Sequence, residues 1–123
     1  MTPKELENRL VQFTIDIIKL TEGIKPTIAG KKLSNHIVRS GTSPALNYSE
    51  AQSAESGRDF VHKLGVCLKE LRETFINLKI IDRASLHSNN KQVNSLSMNV
   101  TNGSQSLQKV SIQVNKIKIS FLQ

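Results

Sequence analysis

Apolar residues recur along this chain at alternating steps of three and four, and few folds accept that spacing. Leu6, Leu10, Phe13, Ile17, Leu20 and Ile24 follow steps of 4, 3, 4, 3 and 4. A similar rhythm runs through Phe60, Leu64, Cys67, Leu71, Phe75 and Leu78. It returns through Val93, Leu96, Val100, Gly103, Leu107, Val110, Val114, Ile117 and Phe121. Residues three and four apart share one face of an α-helix, so each run is a helical seam that must be buried against a partner. A half-buried strand would alternate every second residue instead.

Local signals bound the helices. Thr2-Pro3-Lys4-Glu5 reads as a capping box with proline at the first helical position, and Gly23 and Pro26 close the segment, which predicts a first helix over 3–24. Val11, Ile15 and Ile18 form a second stripe on that helix, the pattern of a helix that packs on more than one neighbour, including a second subunit. The second helix, over 27–54, carries Leu33, Ile37, Tyr48 and Ala51 on one face, with Val38 and Leu46 flanking. Pro44 inside it removes a donor and frees the carbonyl of Ser40, which predicts a kink or a hydrated turn. The third, over 57–83, opens on Ser56 with Asp59 three residues on, and Lys69–Glu73 is its best i,i+4 ion pair. The fourth, over 89–121, is mostly Ser, Asn, Gln and Lys between its seam positions, mediocre helix formers that depend on packing. Val110-Ser111-Ile112-Gln113-Val114 also alternates as a strand would, and both readings stand. Four such segments with short connections predict an all-α fold, an antiparallel up-and-down four-helix bundle in a single domain over 1–123.

The 123 residues carry a formal net charge of +7. Residues 1–30 hold four basic and four acidic side chains, and residues 31–83 hold nine and six. After residue 83 there are Lys91, Lys109, Lys116 and Lys118 and no acid. A basic surface favours polyanions by releasing their counterions, which makes RNA or DNA a candidate partner. The basic candidates are Lys31, Lys32, Arg39, Lys109, Lys116 and Lys118. No aromatic-rich strand motif accompanies them, which argues against an RRM or OB type of reader. No apolar run approaches the ~20 residues of a membrane span, the N-terminus lacks a signal-peptide pattern, and the single cysteine cannot make an internal disulfide. A cytoplasmic protein without a membrane partner is the expectation.

Catalytic motifs are missing. There is no G-x-S-x-G elbow, no P-loop and no G-x-G-x-x-G. His36, His62 and His87 are never three or four apart, so the Glu-x-x-His spacing of bundle metal sites fails, and Cys67 sits on an apolar seam as a small core residue. No enzyme, metal or cofactor is expected. The informative polar feature is a row on the second helix: His36, Ser40, Ser43, Asn47 and Glu50. Ser40, Ser43, Asn47 and Glu50 read better as a hydrogen-bonded structural network than as a ligand site. Arg39, Arg58 and Arg72 are the candidate partners of Glu50, since a buried carboxylate needs one.

The stretch Arg39-Ser40-Gly41-Thr42-Ser43-Pro44-Ala45-Leu46-Asn47-Tyr48-Ser49-Glu50-Ala51 resembles the central motif of the four helix bundle proteins known as 23S rRNA-intervening sequence proteins. Asp59-Phe60 and Leu68-Lys69-Glu70-Leu71-Arg72-Glu73-Thr74 are similar to the third-helix motif of that family, and the resemblance covers about residues 5–83. It implies an up-and-down bundle that assembles as a ring-shaped homopentamer, with no catalytic residue assigned. A related branch, the accessory proteins of diversity-generating retroelements, implies nucleic acid and a reverse transcriptase as partners. The reading that follows is a non-enzymatic homo-oligomeric scaffold that binds nucleic acid through a basic surface. The alternative is a protein-interaction module with no nucleic-acid binding.

Overall fold

Capping chemistry and apolar spacing act together in the structure, a computed structural model that describes the backbone of residues 2–122. Its side chains are described through Ser106 and at Gln108, Lys109 and Ile112. Helix α1 is Pro3–Thr21, α2 is Ile28–Gln52, α3 is Gly57–Arg83 and α4 is Asn90–Leu122. The Thr2 side chain accepts from the Glu5 amide while the Glu5 carboxylate takes the Thr2 amide, which satisfies two free donors at the start of α1. Thr27 caps α2 and Ser56 caps α3 in the same one-sided way. Residues 110–114 lie within α4, so the strand alternative gives way to the helix.

Each helix packs on its sequence neighbours, α1 also packs on α4, and α1 and α3 sit across the diagonal. The seam residues Leu6, Leu10, Phe13, Ile17, Leu20 and Ile24 are all buried. So are Leu64, Cys67, Leu71 and Leu78 of α3, while Phe60 and Phe75 are partly buried against them. On α4, Val93, Leu96, Val100 and Gly103 face inward. The side chains of Leu107, Val110, Val114, Ile117 and Phe121 lie outside the described residues.

Two helix ends differ from simple expectation. Helix α1 stops at Thr21 rather than near residue 24, because Gly23 turns the chain and Pro26 holds Lys25 extended. Ile24 then pairs antiparallel with His87 of the α3–α4 connection. The Lys25 amide donates to the Leu86 carbonyl at 2.8 Å and the Ser88 amide to the Gly23 carbonyl at 3.1 Å. His87 is buried in this clasp. Its Nδ1 accepts from the Asn89 amide at 2.8 Å, which leaves Nε2 to donate to the Leu20 carbonyl at 2.9 Å. Position 23 must be glycine here, since a Cβ would meet the imidazole Nε2 at 2.5 Å. At the end of α3, Ser85 takes the left-handed conformation, φ 55°. The Leu86 amide reaches the Ile81 carbonyl at 3.0 Å and the Ser85 amide reaches that of Asp82 at 3.1 Å, a Schellman closure made without glycine.

Helix α2 runs through Pro44 unbroken. Just before the proline, Gly41 brings the backbone against α1. A Cβ there would lie 2.9 Å from Ile17 Cγ2. The Thr14 hydroxyl, 3.0 Å from both the Leu10 and the Gly41 carbonyl oxygens, shares its one proton between the two helices.

Candidate functional site

The structure divides the polar row of α2 into three separate arrangements. Ser40 is fully buried against α3. Its Oγ lies 2.9 Å from Thr74 Oγ1 and accepts from Asn77 Nδ2 at 3.4 Å. Thr74 Oγ1 is also 2.8 Å from the Glu70 carbonyl, which can only accept. Thr74 has one proton to give, so in the chain that satisfies every atom Ser40 donates to Thr74 and Thr74 to the carbonyl. One turn on, Asn47 Nδ2 donates to the Ser43 carbonyl at 2.9 Å and to Ser43 Oγ at 2.8 Å, a pairing internal to α2. Glu50 is exposed and its partner is Lys63 of α3, at 2.7 Å. That corrects the expectation of Arg39, Arg58 or Arg72. Lys63 lies on the facing helix, and the hydrogen bond it donates to Glu50 raises its pKa. His36 is exposed and stands apart from the row's contacts.

Arg39 is held elsewhere. Its guanidinium donates to Glu70 at 3.2 Å and to Glu73, both on α3. Partial burial works against its charge, but the two carboxylates outweigh it and hold the Arg39 pKa above its ordinary value. Glu70 is nearly buried, and burial first, then Glu73 beside it, push its pKa up against the pull of Arg39. Glu73 turns to α2 and makes no ion pair with Lys69, the i,i+4 partner the spacing favoured. Cys67 is buried with its Sγ 3.4 Å from the Pro44 carbonyl, and burial pushes the thiol up to about 12. It is an unreactive core group. Among the described residues, no three His, Cys, Asp or Glu side chains come together as metal ligands would.

The remaining basic candidates fall at opposite ends. Lys31 and Lys32 are exposed in the first turns of α2. Lys109 lies at the far end of the bundle, beside a cleft of about 380 Å³ that Thr2, Tyr48, Gln52 and Phe60 also line. The Lys116 and Lys118 side chains lie outside the described residues.

The apolar surface is more coherent. Val11, Ile15 and Ile18 are 45, 39 and 47% exposed, a continuous stripe on the outside of α1. Ile76 and Ile80 form a similar pair on the outside of α3. Because α1 and α3 are diagonal, the two patches face opposite ways. No helix among the described residues is long and apolar enough to cross a membrane.

Comparison with known proteins agrees with this architecture. The profile of the 23S rRNA-intervening sequence protein family matches residues 5–109. Among solved structures, the fold is similar to a protein with unknown function from the S23 ribosomal protein family of Bacteroides thetaiotaomicron VPI-5482. The TM-score is 0.79 at 28% sequence identity, over 90% of this chain and 98% of that one. No curated protein matches the chain.

Proposed function

Because the chain belongs to the 23S rRNA-intervening sequence protein family, we propose that it is a non-enzymatic scaffold that assembles from copies of itself and engages nucleic acid through its basic surface. The exposed stripe of Val11, Ile15 and Ile18 carries the reading. Each side chain is about half exposed, so covering one releases ~1 kcal/mol. A water-facing stripe at helical spacing is a surface made to be covered. A closed ring joins two unlike patches on every subunit, and the opposed patches on α1 and α3 supply that pair. Five subunits is the number the family resemblance implies. Binding of polyanions follows from the net charge of +7 per chain, which a ring multiplies. A buried free thiol at Cys67 fits the reducing cytoplasm.

Sedimentation tests the assembly. The wild-type chain should run as a particle several times its 13.7 kDa mass. Ile15→Lys with Ile18→Lys should run as a helical monomer. A wild-type chain that sediments at 13.7 kDa overturns the scaffold. Retention of RNA or DNA on a filter at low salt tests the second half, and its absence favours a protein-interaction module instead.

A further inference from the structure

Folding redistributes the positive charge. Along the sequence it accumulates toward the C-terminus, but in space it gathers at the end of the bundle formed by the α1–α2 and α3–α4 connections. Within about a turn and a half of those connections stand Lys19, Lys25, Lys31 and Lys32 on one side and Lys79, Arg83 and Lys91 on the other. Only Glu22 and Asp82 oppose these seven. All seven are exposed, and with the described residues none makes an ion pair; Lys79 lies over the Phe75 ring. At the other end, Lys4, Arg58, Lys63 and Lys109 meet Glu5, Glu7, Glu50, Glu55 and Asp59, and Lys116 and Lys118 follow later along α4. One end is strongly positive and the other is close to neutral.

We infer that the connection end of the bundle is the face that binds nucleic acid, through the phosphodiester backbone. The inference rests on the polyanion reading above and says where that contact is made. Unpaired ammonium groups on a face about two helix diameters wide, ~20 Å, neutralise several phosphates at once without reading bases. The clasp of Ile24 with His87 ties the two connections together, so the charges of both sides share one rigid surface. A lipid surface would need a broad apolar face to embed, and among the described residues at this end only Ile28 is more than half exposed, with Ile18 and Ile80 on the flanks of α1 and α3. In a cyclic ring whose helices run along its axis, symmetry brings every connection end to the same rim.

The test compares charge reversal at the two ends. Lys25→Glu, Lys31→Glu and Lys32→Glu are combined in one variant, and Lys4→Glu, Arg58→Glu and Lys109→Glu in another, so the net charge change is equal. Anisotropy with a labelled single-stranded RNA and a labelled duplex DNA is read across salt, and circular dichroism and sedimentation confirm that both variants fold and assemble. The connection-end variant should lose at least about tenfold in affinity at low salt, and its salt slope should flatten by about 2. The far-end variant should stay within about threefold of wild type. Equal losses, or a larger loss at the far end, overturn the placement while leaving nucleic-acid binding intact. Absence of binding by the wild-type chain overturns both readings. Binding of anionic vesicles but of neither nucleic acid also counts against the inference.

Discussion

Against α1, helix α2 presents Gly41 and lets Ile17 pack onto its backbone. Against α3, one residue earlier, it presents Ser40 to Thr74 and Asn77, and a further residue earlier Arg39 to Glu70 and Glu73. The first contact is close and apolar, and its strength comes from packed surface. The second is polar and partly charged. Its groups were hydrogen-bonded to water before folding, so their net gain is small, but a slip of α3 along α2 would strand them without partners. One helix thus takes its stability from one neighbour and its register from the other.

Substitutions on both sides of α2 would break or sharpen that contrast. Ile17→Ala should be the most damaging. It opens a cavity where α1, α2 and the core meet, and denaturant unfolding should show a loss of ~2–5 kcal/mol. Thr74→Val should cost ~1–3 kcal/mol, because Ser40 keeps a buried hydroxyl proton with no acceptor. Adding Ser40→Ala should recover part of that loss, since it removes the stranded proton but also the acceptor of Asn77, and a double-mutant cycle with no coupling would show that the polar triad does not act as a unit. Gly41→Ala should cost less, ~1–2 kcal/mol, because the gain in helix propensity of ~1 kcal/mol opposes the crowding of Ile17. In an Ile17→Val background the same change should be closer to neutral, and equal cost in both backgrounds would contradict the close contact.

The smallest effect concerns pH. Burial, then Glu73, raise the Glu70 pKa in the folded chain. The stability this group adds is therefore full below its ordinary range and is lost as pH rises through the raised value. Glu70→Gln removes that dependence. The melting temperature of wild type relative to this variant should fall from acidic to neutral pH. A difference that rises instead would mean that Arg39 outweighs burial.

The inward face of the fold was legible because it is periodic. Every seam position of α1 reads directly from steps of three and four, and Thr2, Ser56 and Glu5 announce their caps by residue type alone. The polar row was legible as a row, but its partners were not. Glu50 finds Lys63 and Arg39 finds Glu70 and Glu73 across a helix interface, and nothing in local spacing says which turn of α3 faces which turn of α2. The spacing of Lys69 and Glu73 pointed to a pair within one helix, worth only ~0.3–0.5 kcal/mol, and Glu73 pairs instead with Arg39 of the neighbouring α2. The clustering of lysines at one end was hidden for the same reason. Lys25 and Lys91 are far apart in sequence, and only antiparallel topology makes them neighbours at one end.

The pairing of the two connections also leaves a reporter in the chain. Backbone amides in turns normally trade their protons with solvent freely, yet those of Lys25 and Ser88 are each spoken for by the opposite connection. Their deuterium uptake should be slow while the helix ends stay together and should quicken in step, since neither can be released without parting the same short two-residue ladder. Two probes on distant parts of the polypeptide would then time a single opening event.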